Sequence, residues 1–553
     1  PDLAQFQCNG AMAAAKIAKK APRTVAEDIV ATLKKHDAFS KIDIAGPGFI
    51  NLTVTDDFLA AHLKTIAADP RCGVPETGEG TVVVDYGGPN VAKALHVGHL
   101  RSSIIGDSVC RLMKFSGYHV LGDIHLGDWG TQMGMVISEL QRRQPDLPHF
   151  DRDYTGPYPA EPVITLATLE EIYPAASAAC KADEERMALA RMATKELQDG
   201  RAGYRALWRD FLTVSTEGMK KNFAALGISF DVWKGESSVQ DLIPPMVEEL
   251  THSGHAIKDQ GAIIIPIEKN DDKKEVPPLI LVKSDGAAMY STTDLATIKD
   301  RMAAYAPDKI VYVIDQRQSL HIEQVFRAAR LAGYAPENEV DLIFAGFGTM
   351  NGTDGKPFKT RAGGVLKLED LIETGREKAR ARMEEAHVAE DMDAAEKEDI
   401  AQKIAVAALK FADLQNQRQS DYVFDIDRMT AFEGKTGPYL LYQAVRIKSL
   451  LRKANHIDSR EAFVLTDIDR DLALLLTELP EVIEAALSHY APHYLCDYAY
   501  RLAQSFSGFY NRCHILSEEN DALRESRLAL CAMTVRVLEL TLSLLGIKIP
   551  DRM

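Results

Sequence analysis

Apolar and polar positions switch period several times along the chain. Val25, Ile29, Val30 and Leu33 share one helical face, so residues 24–36 are predicted helical, as is the Ala/Lys-rich stretch 11–20. Two short apolar runs at 42–45 and 49–54 flank Gly46-Pro47-Gly48 and predict a hairpin. After a turn-rich linker at 70–80, the β-branched run 81–86 reads as a buried parallel strand. A helix over about 100–116 and a strand at 118–122 complete a β-loop-α-β unit of the doubly wound kind. The same order recurs as a strand at 309–315, a helix over about 320–332 and a strand at 341–345. Between these halves, about 150–280 reads as an insertion, helical first and β-rich at 261–282, with the charged run 268–275 as a solvated hairpin loop. From 366 onward the pattern is helical, punctuated by Pro492, Gly546 and Pro550. The prediction is a multidomain α/β chain. A small α+β unit spans 1–75, a doubly wound unit 76–365 and an all-α unit 366–553.

Composition changes this picture little. At ~150 residues per domain, 553 residues suit three or four domains. A net charge of −16 excludes a histone-like polymer binder but not a local basic surface. Segment 1–75 escapes the acidic excess, with nine Lys/Arg against eight Asp/Glu. Segment 428–453 is basic: Arg428, Lys435, Arg446, Lys448, Arg452 and Lys453 stand against Glu433 alone, with Tyr439 and Tyr442 among them. It is the best candidate for a phosphate-contacting surface. Seven cysteines (8, 72, 110, 180, 496, 513 and 531) form no C-x-x-C pair and fit a reducing, cytoplasmic setting. No apolar run approaches a membrane span and no signal peptide opens the chain, so no membrane partner is expected. The first residue is Pro1, which reads as a natural start lying upstream.

The chemistry concentrates in Gly87-Gly88-Pro89-Asn90-Val91-Ala92-Lys93-Ala94-Leu95-His96-Val97-Gly98-His99, which follows a strand and opens a helix. A helix N-terminus offers free N–H groups and positive potential to a phosphate. Two histidines there add donors that can follow charge onto phosphate oxygens in an in-line displacement. Gly98 lets a nucleotide approach the backbone closely. A zinc reading fails, since there is no H-E-x-x-H and no third ligand in context. His489 and His493 are spaced for a metal, but Pro492 lies between them and no acid completes the set.

The run Pro89–Lys93 leading into His96-Val97-Gly98-His99-Leu100-Arg101-Ser102 resembles the active-site segment of arginyl-tRNA synthetases, which are class I aminoacyl-tRNA synthetases. Leu126-Gly127-Asp128-Trp129-Gly130-Thr131-Gln132, Tyr290-Ser291-Thr292-Thr293-Asp294-Leu295-Ala296 and Thr436-Gly437-Pro438-Tyr439-Leu440 resemble further blocks of that family. So do Gln7–Ala11, Gly46–Asn51 and the last residues to Met553, so the resemblance runs nearly end to end. It implies a class I Rossmann-type catalytic domain, a small N-terminal α+β domain that meets the tRNA elbow, and an all-α anticodon-binding domain. It implies ATP-dependent ligation of L-arginine to tRNA(Arg) through an arginyl-adenylate, with Mg2+ accompanying ATP, by a cytoplasmic monomer.

By that resemblance His96 and His99 contact the phosphates in the transition state, and Gly98 lies at the nucleotide. The family's mobile K-M-S-K-S-type loop is replaced here by Gly355-Lys356-Pro357-Phe358-Lys359-Thr360-Arg361-Ala362-Gly363-Gly364. Some arginyl enzymes share this departure, and a lysine just before the histidine motif stands in; here that is Lys93. Which of Lys93, Lys356, Lys359 and Arg361 stabilises pyrophosphate stays open at this point. A guanidinium demands carboxylates placed for bidentate bonding. Tyr290 and Asp294 are one helical turn apart and face it by resemblance; Gln318 and Glu236 line the same pocket, or Glu236 takes the amino group, and Asn90 holds the backbone end. For tRNA, the candidates are Phe49 and Asn51 at the elbow, and Tyr439, Tyr442, Arg446 and Met553 at the anticodon. Two rivals are a small-molecule adenylating ligase, which has no use for the helical tail, and a non-catalytic RNA-binding paralogue, which would be free to lose His96, His99, Lys93, Asn90 and Asp294.

Overall fold

The computed structural model describes residues 4–284, 286–352, 354–356, 366–389, 391–455 and 463–553. The chain opens with β1 (Phe6–Cys8), α1 (Gly10–Ala18), α2 (Pro22–Leu33), β2 (Phe39–Ala45), β3 (Phe49–Val54) and α3 (Asp56–Ala68). The predicted hairpin is the antiparallel pair β2–β3, and β1 adds to the other side of β3. Ala11, Ala15, Val25, Ala26, Val30 and Ile50 give these first elements their own small core. Helix α3, capped by the Thr55 hydroxyl, sends Leu59, Leu63 and Ile66 into the main core instead.

The central unit is a five-stranded parallel sheet in the order β11-β10-β4-β5-β6. The first half is β4 (Thr81–Tyr86), α4 (Leu100–Phe115) and β5 (His119–Leu126). Then come α5 (Thr131–Arg143), α6 (Leu166–Ala182), α7 (Glu184–Gln198), α8 (Ala202–Ala225), β6 (Val232–Gly235) and α9 (Ile243–His252). An antiparallel sheet, β7 (Ile257–Asp259), β8 (Ala262–Ile265) and β9 (Leu279–Val282), precedes α10 (Tyr290–Tyr305), β10 (Lys309–Val313), α11 (Ser319–Leu331) and β11 (Asp341–Phe344). The expected insertion at 150–280 needs correction: Val232–Gly235 lies inside that range yet pairs with β5 as the sheet's edge. An edge strand of three half-buried residues and a glycine leaves little trace in hydrophobicity. The expected solvated loop at 268–275 is also tied down, because Arg327 grips Asp272 through both nitrogens at 2.7 Å.

Chain direction across the sheet reverses between β4 and β10. In a doubly wound sheet the crevice for a ligand opens there, beyond the carboxyl ends of the strands. Helix α4 lies tightly on β4 because residue 106 is glycine: a Cβ there would come within 2.2 Å of the Tyr86 ring.

The remainder comprises the small parallel pair β12 (Met350–Asn351) and β13 (Tyr422–Val423), with α12 (Leu368–Glu385), α13 (Ala394–Leu414), α14 (Ile426–Met429), α15 (Gly437–Lys453), α16 (Asp467–Leu476), α17 (Leu479–His489), α18 (His493–Arg512) and α19 (Asp521–Leu544). Its apolar faces join the catalytic unit in one core. Polar groups are buried at that seam. Arg101 of α4 pairs with Asp413 of α13 at 3.3 Å and donates to the Ser420 carbonyl at 2.9 Å. Lys410 is fully buried, donating to Asp107 of α4 at 3.0 Å and to the Gly546 carbonyl at 3.1 Å. Among the described residues no helix is long and apolar enough to cross a membrane.

Candidate active site

The two halves are bolted together where the crevice opens. Gly87 N–H donates to Ser102 Oγ at 2.8 Å, and that hydroxyl donates to the Val313 carbonyl of β10 at 2.7 Å. Past the glycines, Val91 N–H reaches the Gly127 carbonyl and Gly127 N–H reaches Pro89, so Asn90 extends the β4–β5 ladder and stands exposed at its end. Ala92 is held at φ 62° with its N–H on Ser215 Oγ. An alanine in that region costs on the order of 1 kcal/mol. The surrounding packing over-determines the turn that delivers Lys93 and His96 to the crevice.

The histidines cap one another. His96 Nδ1 accepts from Gly98 N–H at 3.0 Å, and His99 Nδ1 accepts from His96 N–H at 3.1 Å. Their ring centroids are 4.0 Å apart. Burial, reinforced by the Lys93 charge, holds His96 down to about 4; burial, then His96 and Lys93, hold His99 down to about 3. Both rings are therefore neutral at pH 7. With each Nδ1 accepting, each proton sits on Nε2, so the turn presents two N–H donors of fixed tautomer. Gly98 has a reason beyond nucleotide approach: a Cβ there would sit 2.7 Å from the His96 ring. Lys93 is half-buried and makes no hydrogen bond or ion pair among the described residues. The strand-like contact Val97 N–H to the Leu366 carbonyl, with Leu368 N–H to Leu95, fastens the turn to the segment entering α12.

On the opposite wall, Asp128 is buried at the end of the β5 block and accepts from Ser237 N–H (2.9 Å) and Ser237 Oγ (2.5 Å). This fixes the turn after β6 that carries Glu236. Burial, then the charges of Asp128 and Asp294, push the Glu236 carboxyl up to about 7. Tyr290 opens α10 and is 66% exposed, and the Glu236 charge adds to burial in raising its hydroxyl. Asp294, one turn further along α10, bonds His321 Nε2 of α11 at 2.5 Å. Gln318 stands exposed in the turn before α11, one turn ahead of His321. Glu236, Tyr290 and Asp294 thus converge, with Gln318 and Asn90 on the same rim of strand ends.

Sequence reasoning missed three contributors. Asp128 supports Glu236; its block was visible but its partner, 109 residues away, was not. His321 shares a helical face with Gln318, a spacing that could have flagged it. Arg301, two turns beyond Asp294, is 1% exposed and reaches Asp85 (2.6 Å), Asp123 (2.7 Å) and Tyr312 OH (3.0 Å). The register places Asp85, Asp123 and Tyr312 side by side across three strands, so one guanidinium pins α10 to the sheet.

Other candidates lie elsewhere. Lys356 sits in an exposed turn after β12 with no side-chain partner to the histidines, while Lys359 and Arg361 lie outside the described residues. Phe49 is half-buried at the hairpin; Asn51 is buried, its oxygen held by Gln7 at 2.9 Å, so it is part of the β1–β3 pair rather than a free donor surface. Tyr439 packs edge-on to Tyr500, Tyr442 is exposed, Arg446 stacks 4.0 Å over the Tyr510 ring, and Met553 packs on the core. The basic window is partly spent: Lys435 pairs with Asp497 and Lys448 with Glu539.

Comparison with known proteins meets this geometry domain by domain. Residues 63–426 match the model described as tRNA synthetases class I (R), catalytic domain. Residues 440–553 match the DALR anticodon binding domain, and 1–54 the arginyl tRNA synthetase N terminal domain. The whole chain is 49% identical to the arginine–tRNA ligase of Alkaliphilus oremlandii and 50% identical to that of Maricaulis maris, covering 94% of each. Its fold superposes on the arginyl-tRNA synthetase of Plasmodium falciparum with a TM-score of 0.82 at 26% identity, covering 100% of this chain and 93% of that one. Three domain models in chain order, and half of all residues shared end to end with two ligases, leave one assignment: the chain belongs to the arginyl-tRNA synthetases of class I.

Proposed function

We propose how this chain's residues divide the labour of joining L-arginine to its tRNA at the expense of ATP. The arginine carboxylate attacks the α-phosphorus and pyrophosphate leaves; the terminal ribose hydroxyl of tRNA(Arg) then takes the arginyl group and AMP leaves. The first step needs charge stabilisation more than proton transfer. His96 and His99, neutral with the proton on Nε2, donate to phosphate oxygens as charge grows on them. Lys93, without a competing partner among the described residues, supplies the cation for pyrophosphate, and Lys356, Lys359 and Arg361 are secondary to it. Mg2+ would accompany ATP on its phosphates.

Arginine lies across the crevice with its guanidinium on Asp294 and Tyr290, Gln318 beside it, Glu236 on the amino group and Asn90 at the carboxylate end. Lysine cannot match a planar fork, and a buried carboxylate left unpaired costs several kcal/mol, so no editing step is required. Residues 1–75 meet the tRNA elbow through Phe49, with Asn51 bracing the strands beneath; residues 76–365 catalyse; residues 366–553 read the anticodon with Tyr439, Tyr442, Arg446 and Met553. The chain acts as a cytoplasmic monomer. The convergence of Glu236, Tyr290 and Asp294 opposite two neutral histidines carries this reading. ATP–pyrophosphate exchange with each of the 20 amino acids, with and without tRNA, tests it. Exchange with arginine alone is expected, and Asp294→Asn should raise the arginine KM far more than the ATP KM. An unchanged arginine KM would move the pocket elsewhere.

A further inference from the structure

Asp294 does not meet the crevice alone. Its Oδ2 is 2.5 Å from His321 Nε2, and both side chains are about one third exposed, at 31% and 33%. No other hydrogen bond to either side chain is present among the described residues. Asp294 Oδ1 and His321 Nδ1 therefore have no hydrogen-bond partner among the described residues, and about a third of each side chain is open to solvent. A guanidinium fork is planar and needs a carboxylate whose plane is already set. A carboxylate held at one oxygen by an N–H from a neighbouring helix has that orientation before substrate arrives.

We propose that His321 is the positioning residue that presents Asp294 to the guanidinium of arginine, and that arginine displaces a proton from this pair as it binds. The proposal rests on the pocket reading above. The proton follows from charge. When His321 is protonated it cancels Asp294 and repels a second cation at the same carboxylate; when neutral, its Nε2–H still orients Asp294, and the carboxylate keeps a full charge for arginine. The balance is arginine cation plus protonated His321–Asp294 pair giving arginine bound to Asp294, neutral His321 and one proton in solvent. The Asp294 hydrogen bond, opposed by burial, holds His321 above the usual imidazole range, so the free pair is substantially protonated near pH 6.5. The other titratable groups near the pair are Glu236 from the turn after β6 and Tyr312 from β10, which both sense the Asp294 charge, and Tyr290, one turn ahead of Asp294 on α10. Asp315 and Arg317, in the turn before α11, neutralise one another.

Three variants separate the outcomes. His321→Ala should raise the arginine KM in pyrophosphate exchange about tenfold, the loss of one charge-assisted hydrogen bond, with the ATP KM unchanged. His321→Gln keeps a neutral donor near the same place. It should restore the arginine KM to within about twofold at pH 8, which guards against a folding artefact. Titration of each protein with L-arginine at pH 6.5, in two buffers of different protonation enthalpy, counts the protons released. His321→Gln should release fewer than the parent, and the contribution of Glu236 is common to both. Equal proton release would overturn the displacement, and an unchanged arginine KM in His321→Ala would overturn the positioning role. If Asp294→Asn raises the arginine KM while His321→Ala does not, this proposal alone fails; if Asp294→Asn has no effect, the pocket itself has been misplaced.

Discussion

Replacing Arg301 with Met tests how α10, the helix that carries Tyr290 and Asp294, is held. The guanidinium is buried and bonded to Asp85, Asp123 and Tyr312 at 2.6 to 3.0 Å. Methionine preserves much of the volume but leaves two carboxylates facing each other without a counter-charge. Removing one partner of such a buried cluster costs about 3–5 kcal/mol, a large share of the ~5–15 kcal/mol that stabilises a typical domain. In the cooperative body containing the parallel sheet, the thermal transition should drop by about 3–5 °C, at about 1 °C per kcal/mol for a unit of this size. Because burial already raises the Asp85 carboxyl, one acid takes up a proton in the variant, and the loss should be smaller at pH 5 than at pH 8. The triple change Arg301→Met, Asp85→Asn, Asp123→Asn removes the stranded charges and should recover most of the stability. The start of α10 should still wander, so the arginine KM should remain raised. Calorimetry with pyrophosphate exchange on the same samples reads both effects. A single variant within 1 kcal/mol of the parent would show that the cluster does not hold α10.

His96→Ala should lower the rate of adenylate formation by about 10²–10³, the usual loss for one transition-state donor, with tRNA binding intact by filter assay. Equal rates would remove His96 from the chemistry. The arginine KM should fall as pH rises from 6 to 8, because Glu236 loses its proton near 7 and only then attracts a cation. In Asp128→Asn a like charge beside Glu236 disappears, so the midpoint of that profile should move to lower pH; a profile that stays put would unlink the two acids.

The frame was legible where residues carried a dense local signal. Val82, Val83 and Val84 announce a central strand, and the histidine turn that follows lies at the crevice mouth. Strand β5 runs on to Leu126, past the expected end at Gly122: Asp123, Ile124, His125 and Leu126 keep the alternation of a strand after the glycine interrupts the apolar run. In the charged run Lys299-Asp300-Arg301, Arg301 is buried while its neighbours spend their charges on Glu249 and Lys234. Lys410 lies between Leu409 and Phe411 in an apolar helix, a local hint of burial, but its acid is 303 residues away. What could not be read are pairings across the fold: Asp294 with His321, Asp128 with Ser237, Lys435 with Asp497. Period and propensity report what one element wants; they do not report which distant charge meets it.

The seam between α4 and α13 bears on whether the enzyme can be divided. A catalytic fragment ending before residue 394 would keep Arg101 and Asp107 on α4 but lose Asp413, Lys410 and the Gly546 carbonyl that face them. It would expose a broad apolar face and strand the buried charges of Arg101 and Asp107, in the first turns of α4 after the histidines, each costing several kcal/mol. The chain should therefore unfold with these helices and the sheet in one cooperative transition rather than two, and proteolysis should yield no active core. The C-terminal helices and the parallel sheet share one core, so shortening the chain from its end should disturb α4 and the histidine turn ahead of it.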